Sequence, residues 1–277
     1  MTKRKTMPAA VAAVLISASA VAPALGQAQG QVQGQLQGQV LGQTPSKAPV
    51  EVPLSLREGH MVVPVSAPDG TRLNFLVSTG TAVTVLSESA ATRIGVGAPT
   101  LGGVTLDMEG HQTLPDARLT FGAFKADGMV GNNTLNQFDN LFDVPGGRLV
   151  LKPFGRAVEW PGMTLSDPIR LRILHGVVPT LDVEVNGTTF AAFLELGAQK
   201  LLVNQAVLDQ ARVAGGTAAL ALGASAFHDV PIELSDNPII ARFTAPENGF
   251  VIVGAPLVWH CAVSVSWVHQ ELRTCVP

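Results

Sequence analysis

The chain has 277 residues and a formal net charge of −3, with 14% charged side chains, 28 glycines and 19 prolines. Low charge without a basic cluster beyond the N-terminus argues against nucleic acid and anionic membrane as partners. The Gly and Pro content, with few stretches of helical period, excludes a helix bundle and favours strands and tight turns.

Lys3, Arg4 and Lys5 precede an alanine-rich apolar stretch from Ala9 to Leu25, with small residues at Ala22, Ala24 and Gly26. This reads as a signal peptide over 1–26 and implies a periplasmic or secreted protein. A retained anchor is the weaker reading, because Ser17, Ser19 and Pro23 interrupt a run too short for a bilayer. Removing the three basic residues takes the formal charge from −3 to −6. Residues 27–45 form a Gly/Gln-rich leader that cannot build a packed core. The remaining chain, about 230 residues, suffices for one large core or two lobes.

Leu73 to Val77 reads as a strand, Ser78-Thr79-Gly80 as a turn and Val83 to Leu86 as a second strand. A short helix from Ser87 to Ile94 comes next, with Ser87 as N-cap and Gly95 closing it. The layout recurs. Leu181–Gly187 alternates apolar and polar residues and ends in an Asn-Gly turn signal. Phe193-Leu194-Glu195-Leu196-Gly197-Ala198-Gln199 comes after it, then Lys200–Asn204 and a helical Gln205–Ala211. Ser78 and Glu195 are 117 residues apart. Each copy has a later apolar-apolar-Gly segment, Met129-Val130-Gly131 in the first and Ile252-Val253-Gly254 in the second. Leu135–Leu151 reads as strand, Pro-Gly-Gly turn and strand, and Leu257–Val276 repeats that order. Such self-similarity points to an internal duplication. A hairpin turning near Val268 would bring Cys261 and Cys275 together as a disulfide in an oxidising compartment. Two reduced buried thiols are the alternative. Two ligands are too few for a metal site.

The stretch Phe75-Leu-Val-Ser-Thr-Gly-Thr-Ala-Val-Thr-Val-Leu86 resembles the active-site turn of the retropepsin-like and pepsin-like aspartic proteases, with Ser78 in place of the aspartate. In the second copy Glu195 stands where that family has Asp, and Leu196 where it has Thr or Ser. The likeness covers about residues 50–277. It implies an all-β, bilobal acid-protease fold with two ψ-loop lobes, 46–157 and 158–277, joined near residues 153–164. Two lobes in one chain would make a monomer that mimics the dimer of single-lobe relatives.

The resemblance also assigns roles. Ser78 and Glu195 occupy the catalytic positions. Thr79, Gly80, Leu196, Gly197, Met129, Val130, Gly131, Ile252, Val253 and Gly254 become peptide-binding candidates. Flaps are expected near residues 103–119 and 215–235, with His111 either at a flap tip or in a solvated loop. No cofactor or metal is implied, and the partner would be a polypeptide. The family's reaction uses two carboxylates about 3 Å apart that share one proton. A serine hydroxyl cannot titrate in that role, and Glu195 carries an extra methylene. The expectation is therefore a degenerate pseudoprotease that keeps a peptide-binding cleft. An active endopeptidase with an unusual pair, Glu195 with Ser78 or Asp107, is the alternative. Meeting turns would bury Glu195 and raise its pKa. Serine-hydrolase chemistry is disfavoured, since Gly223-Ala-Ser-Ala-Phe227 lacks the second glycine of a nucleophile elbow.

Overall fold

The computed structural model describes residues 48–155, 158–174, 178–235, 245 and 247–275. The signal peptide expected over 1–26 and the leader over 27–45 lie outside them. Among the described residues no helix is long and apolar enough to cross a membrane.

In the first half, strands His60–Ser66 and Arg72–Val77 pair as an antiparallel hairpin. After the Ser78-Thr79-Gly80 turn comes strand Val85–Ser87, then helix Glu88–Ile94. Ser87 caps that helix, its hydroxyl accepting the Ala90 N–H at 3.1 Å. Strand Gly128–Val130 inserts between the two earlier strands, parallel to Arg72–Val77 and antiparallel to Val85–Ser87. It leads into helix Asn132–Leu135.

The second half repeats this path. Val178–Val185 and Thr188–Leu194 form a hairpin, turning at Asn186 (φ 48°) and Gly187 (φ 79°), the left-handed pair that a two-residue hairpin loop requires. Leu201–Val203 leads into helix Gln205–Gln210, capped by the Asn204 side chain on the Val207 N–H. Phe250–Val253 inserts parallel to Thr188–Leu194 and antiparallel to Leu201–Val203. Helix Pro256–Trp259 completes the repeat. Both inserted strands are covered on both faces, so they read as continuous apolar runs rather than as alternation. In the first, Met129 joins Leu76 and Val85 on one side, while Val130 joins Val77 and Leu86 in the main core. Ile252 with Phe193 and Leu202, and Val253 with Leu194 and Val203, repeat the division.

The halves differ in closure. An added pairing of Val178–Val185 with Thr217–Leu222 closes six strands of the second half into a barrel, whereas the sheet of the first half stays open. Residues 215–235, expected to cover a cleft as a flap, instead supply the hairpin Thr217–Leu222 and Ser225–Leu234 in the barrel wall. The cause is visible in the burial of Ala218, Leu220 and Leu222, which turn one face of an alternating strand inward.

A third, six-stranded sheet joins the halves. Val50–Pro53, Arg148–Lys152 and Asp139–Asp143 come from the first, and Val263–Ser266, Glu271–Arg273 and Ile169–Arg170 from the second. The seam is the antiparallel pairing of Asp139–Phe142 with Val263–Ser266. Phe142, Leu149, Leu151, Val263 and Val265 face the main core, while Leu141, Val150 and Ala262 face Trp160, Met163 and Leu165 of the connection between halves. Cys261 and Cys275 form a disulfide across the last hairpin, with Cα atoms 5.4 Å apart. The architecture is therefore all-β and two-lobed.

Candidate functional site

The two turns are hung from the fold in the same way. The Ser78 N–H donates to the Val130 carbonyl at 3.1 Å, and the Glu195 N–H to the Val253 carbonyl at 2.9 Å. Each inserted strand thus fixes the residue where its neighbour turns. Gly131 and Gly254 end these strands beneath the returning loops. A Cβ at Gly131 would overlap the carbonyls of Val83 and Thr81, and one at Gly254 those of Lys200 and Ala198. Only glycine fits under backbone so close, which accounts for the repeated apolar-apolar-Gly signature.

The turns meet face to face across the lobes. Ser78 Oγ lies 2.7 Å from Glu195 Oε2 and 2.7 Å from Thr81 Oγ1, and it accepts the Thr81 N–H at 3.1 Å. Beside this pair, Thr79 Oγ1 donates to the Leu194 carbonyl at 2.8 Å and accepts the Leu196 N–H at 2.9 Å. One hydroxyl thereby pins the opposing turn at two backbone points. Leu196 has no hydroxyl to return the contact and is fully buried. Asn132 Nδ2 secures the first turn from behind, donating to the Thr79 carbonyl at 2.6 Å.

Glu195 supplies the carboxyl at this junction. Oε1 accepts the Gly197 N–H at 2.5 Å, and the N–H groups of Gly80 and Thr79 also serve the carboxyl. Burial nonetheless pushes its pKa up to about 7, because desolvation outweighs these hydrogen bonds. Ser78 is 4% exposed and Glu195 5%, so both are held away from bulk water. The walls are glycine. A Cβ on Gly80 would overlap Glu195 Oε2 and the Phe193 ring, and one on Gly197 would crowd Glu195 Oε1. Chemically, one carboxyl and one hydroxyl can hold a proton between them but cannot divide it as two like-charged acids do.

His60 belongs to this junction and was not a candidate from sequence. Its Nδ1 donates to the Gly197 carbonyl at 2.9 Å, and its ring packs 4.2 Å from that of Phe121. Among the described residues Nε2 has no hydrogen-bond partner, and burial lowers the pKa of the ring. Next to it, the Gln199 side-chain amide donates to the Glu58 carbonyl. Nothing in the pattern of one histidine opening an apolar strand signals a contact 137 residues away.

The remaining candidates fall elsewhere. Met129, Val130, Ile252 and Val253 are all core side chains, at most 4% exposed. They support the turns from behind, and their burial corrects the expectation that they line a peptide-binding surface. His111 lies in an exposed turn with Nδ1 on the Met108 carbonyl at 2.9 Å. Asp107 spends Oδ1 on the Glu109 N–H at 2.8 Å in its own turn, rather than on Glu195. Among the described residues no group of three or more His, Cys, Asp and Glu side chains could hold a metal ion.

No protein-family model matches the chain, and no curated protein matches it.

Proposed function

We propose that this chain is an exported, aspartic-protease-like protein in which the hydrolytic site has become a non-catalytic contact while peptide binding is kept. The observation that carries the reading is the 2.7 Å hydrogen bond between Ser78 and Glu195 at the apposed turns. Hydrolysis of a peptide bond at such a junction requires one carboxylate to take a proton from water and a second, protonated one to polarise the carbonyl. Glu195 can fill one of these parts. Ser78 can fill neither, since the pKa of an alcohol lies far too high for it to act as acid or base at any accessible pH. The half-intact hydroxyl bridge supports the same conclusion: Thr79 still spans to Leu194 and Leu196, and its counterpart is a leucine. Retained geometry with lost acid–base capacity is what a binding module derived from an enzyme would show. Binding of extended chain by strand-type hydrogen bonds needs no catalytic group. The disulfide agrees with an oxidising compartment such as the periplasm or the cell exterior.

The test is an assay of the purified mature chain against an unfolded protein from pH 2 to 7, with cleavage and binding followed together. Binding without cleavage is the expected result. Pepstatin-sensitive cleavage that vanishes in Glu195→Gln would overturn the reading in favour of an endopeptidase with a non-standard pair.

A further inference from the structure

Every group aimed at the Glu195 carboxyl is uncharged: the Ser78 hydroxyl and the N–H groups of Thr79, Gly80 and Gly197. Glu195 enters none of the ion pairs among the described residues. The titratable group next to this junction is His60, which reaches it through the Gly197 carbonyl and is itself faced by Glu58. Lys200, five residues after Glu195, is paired with Glu233 at 2.6 Å. A negative charge formed here would be buried without a counter-ion.

Three of these four groups come from the opposite lobe. Parting the turns removes them and admits water to the carboxylate. With the turns in contact, Gly80, Gly197 and Phe193 fill the space around its oxygens. The Ser78 hydroxyl has one proton for two acceptors, Thr81 Oγ1 and Glu195 Oε2, both at 2.7 Å. The closed contact is therefore completed when Glu195 carries a proton and donates it to Ser78 Oγ, which then donates to Thr81. The ionised carboxylate, buried without a counter-ion, gains solvation when the contact is broken. The six-stranded sheet joins the lobes independently of this contact, so parting the turns, which also breaks the Thr79 bonds to Leu194 and Leu196 and the His60 bond to Gly197, leaves the lobes joined at the base of the molecule.

We propose that the Ser78–Glu195 contact is a clasp released by pH, closed in acid and parted at neutral to alkaline pH, which regulates access to the site between the turns. It rests on the reading of that site as a peptide-binding one. The upward displacement of the Glu195 pKa to about 7 places the release near neutrality. His60 sets the opposite limit, because its buried ring resists a proton and protonation in acid strains the contact from the other side.

Hydrogen exchange of the full mature chain, followed by mass spectrometry from pH 5 to 8 and corrected for intrinsic rates, tests this without any ligand. Segments covering 78–81 and 194–198 should show opening that rises about 100-fold across this range, as expected for a carboxyl solvated only in the open form. Segments covering 139–143 and 263–266 should not follow. Glu195→Gln should hold the turns closed, with opening constant to within about twofold, and Ser78→Ala should raise opening already at pH 5. Equal pH dependence in wild type and Glu195→Gln, or opening of the seam strands in step with the turns, overturns the clasp. Binding of a reduced, carboxymethylated unfolded protein, measured alongside, separates the two ideas. Normal pH-dependent exchange with no binding at any pH refutes the peptide reading alone. Binding of constant affinity with flat exchange refutes the clasp alone.

Discussion

Ser78 ends one atom short of an aspartate, Glu195 extends one atom beyond it, and their oxygens meet at 2.7 Å. The short side chain and the long one compensate in length, so the junction between the turns is filled. Compensation of this kind predicts strong coupling. Ser78→Asp alone forces a second carboxyl against Glu195, and Glu195→Asp alone withdraws the acceptor from the donors around it. Each should cost about 2–3 kcal/mol. The double substitution should be milder than the sum by at least about 1 kcal/mol. Urea unfolding of the four proteins at pH 5 gives the cycle, and strict additivity would contradict the contact.

Thr79 carries a comparable burden with one atom. Thr79→Val keeps the shape but leaves the Leu196 N–H unpaired in a buried place and the Leu194 carbonyl without this donor. A loss of about 1–3 kcal/mol is expected, and Thr79→Ser should recover most of it. Thermal melts of both variants provide the measurement. A valine protein as stable as the parent would mean the bridge contributes nothing.

Stability should fall as pH rises through neutrality. Glu195 binds its proton more tightly folded, with a pKa of about 7, than unfolded, near the ordinary glutamate value of 4.5. Between those values the folded state holds the extra proton. The stabilisation is therefore complete below about pH 4.5 and lost as pH climbs past 7. The displacement corresponds to about 3 kcal/mol. His60 acts in the reverse sense: its folded pKa lies below 6.5, so its contribution is present above that pH and lost in acid. Urea midpoints from pH 4 to 8 should decline in the wild type and flatten in Glu195→Gln. An unchanged decline in the variant would assign the effect to another group.

The terminal hairpin depends on the Cys261–Cys275 bridge, which spans a sequence separation of 14. A loop of that length is worth about 3 kcal/mol in chain entropy. The Cys261→Ser, Cys275→Ser double variant, or reduction of the parent, should lower unfolding free energy by roughly that amount. Denaturant unfolding with and without reductant measures it.

Local features were well written in the sequence. Ser87 caps its helix, Asn186-Gly187 turns its hairpin, and the repeated glycines at 131 and 254 end strands that pass under crossing loops. The facing of Ser78 and Glu195 also accords with the duplication. What escaped was non-local. Whether Thr217–Leu222 is a flap or a barrel wall is decided by its pairing with Val178–Val185; its alternation marks one face for burial but does not name the strand beside it. His60 was invisible for the same reason, since its meaning lies in the Gly197 carbonyl of the other lobe. Exposure was equally hidden: Met129 and Ile252 recur in the right motif, yet the strands beside them bury both.

The seam between Asp139–Phe142 and Val263–Ser266 also limits how the polypeptide can be divided. Expressed by itself, the first half would present a naked backbone border along Asn140 and Leu141. Such a border recruits whatever extended chain is at hand. A truncation before Val158 should therefore yield paired or precipitating fragments rather than a well-behaved half-sized monomer, and supplying the missing half in trans should rescue its solubility.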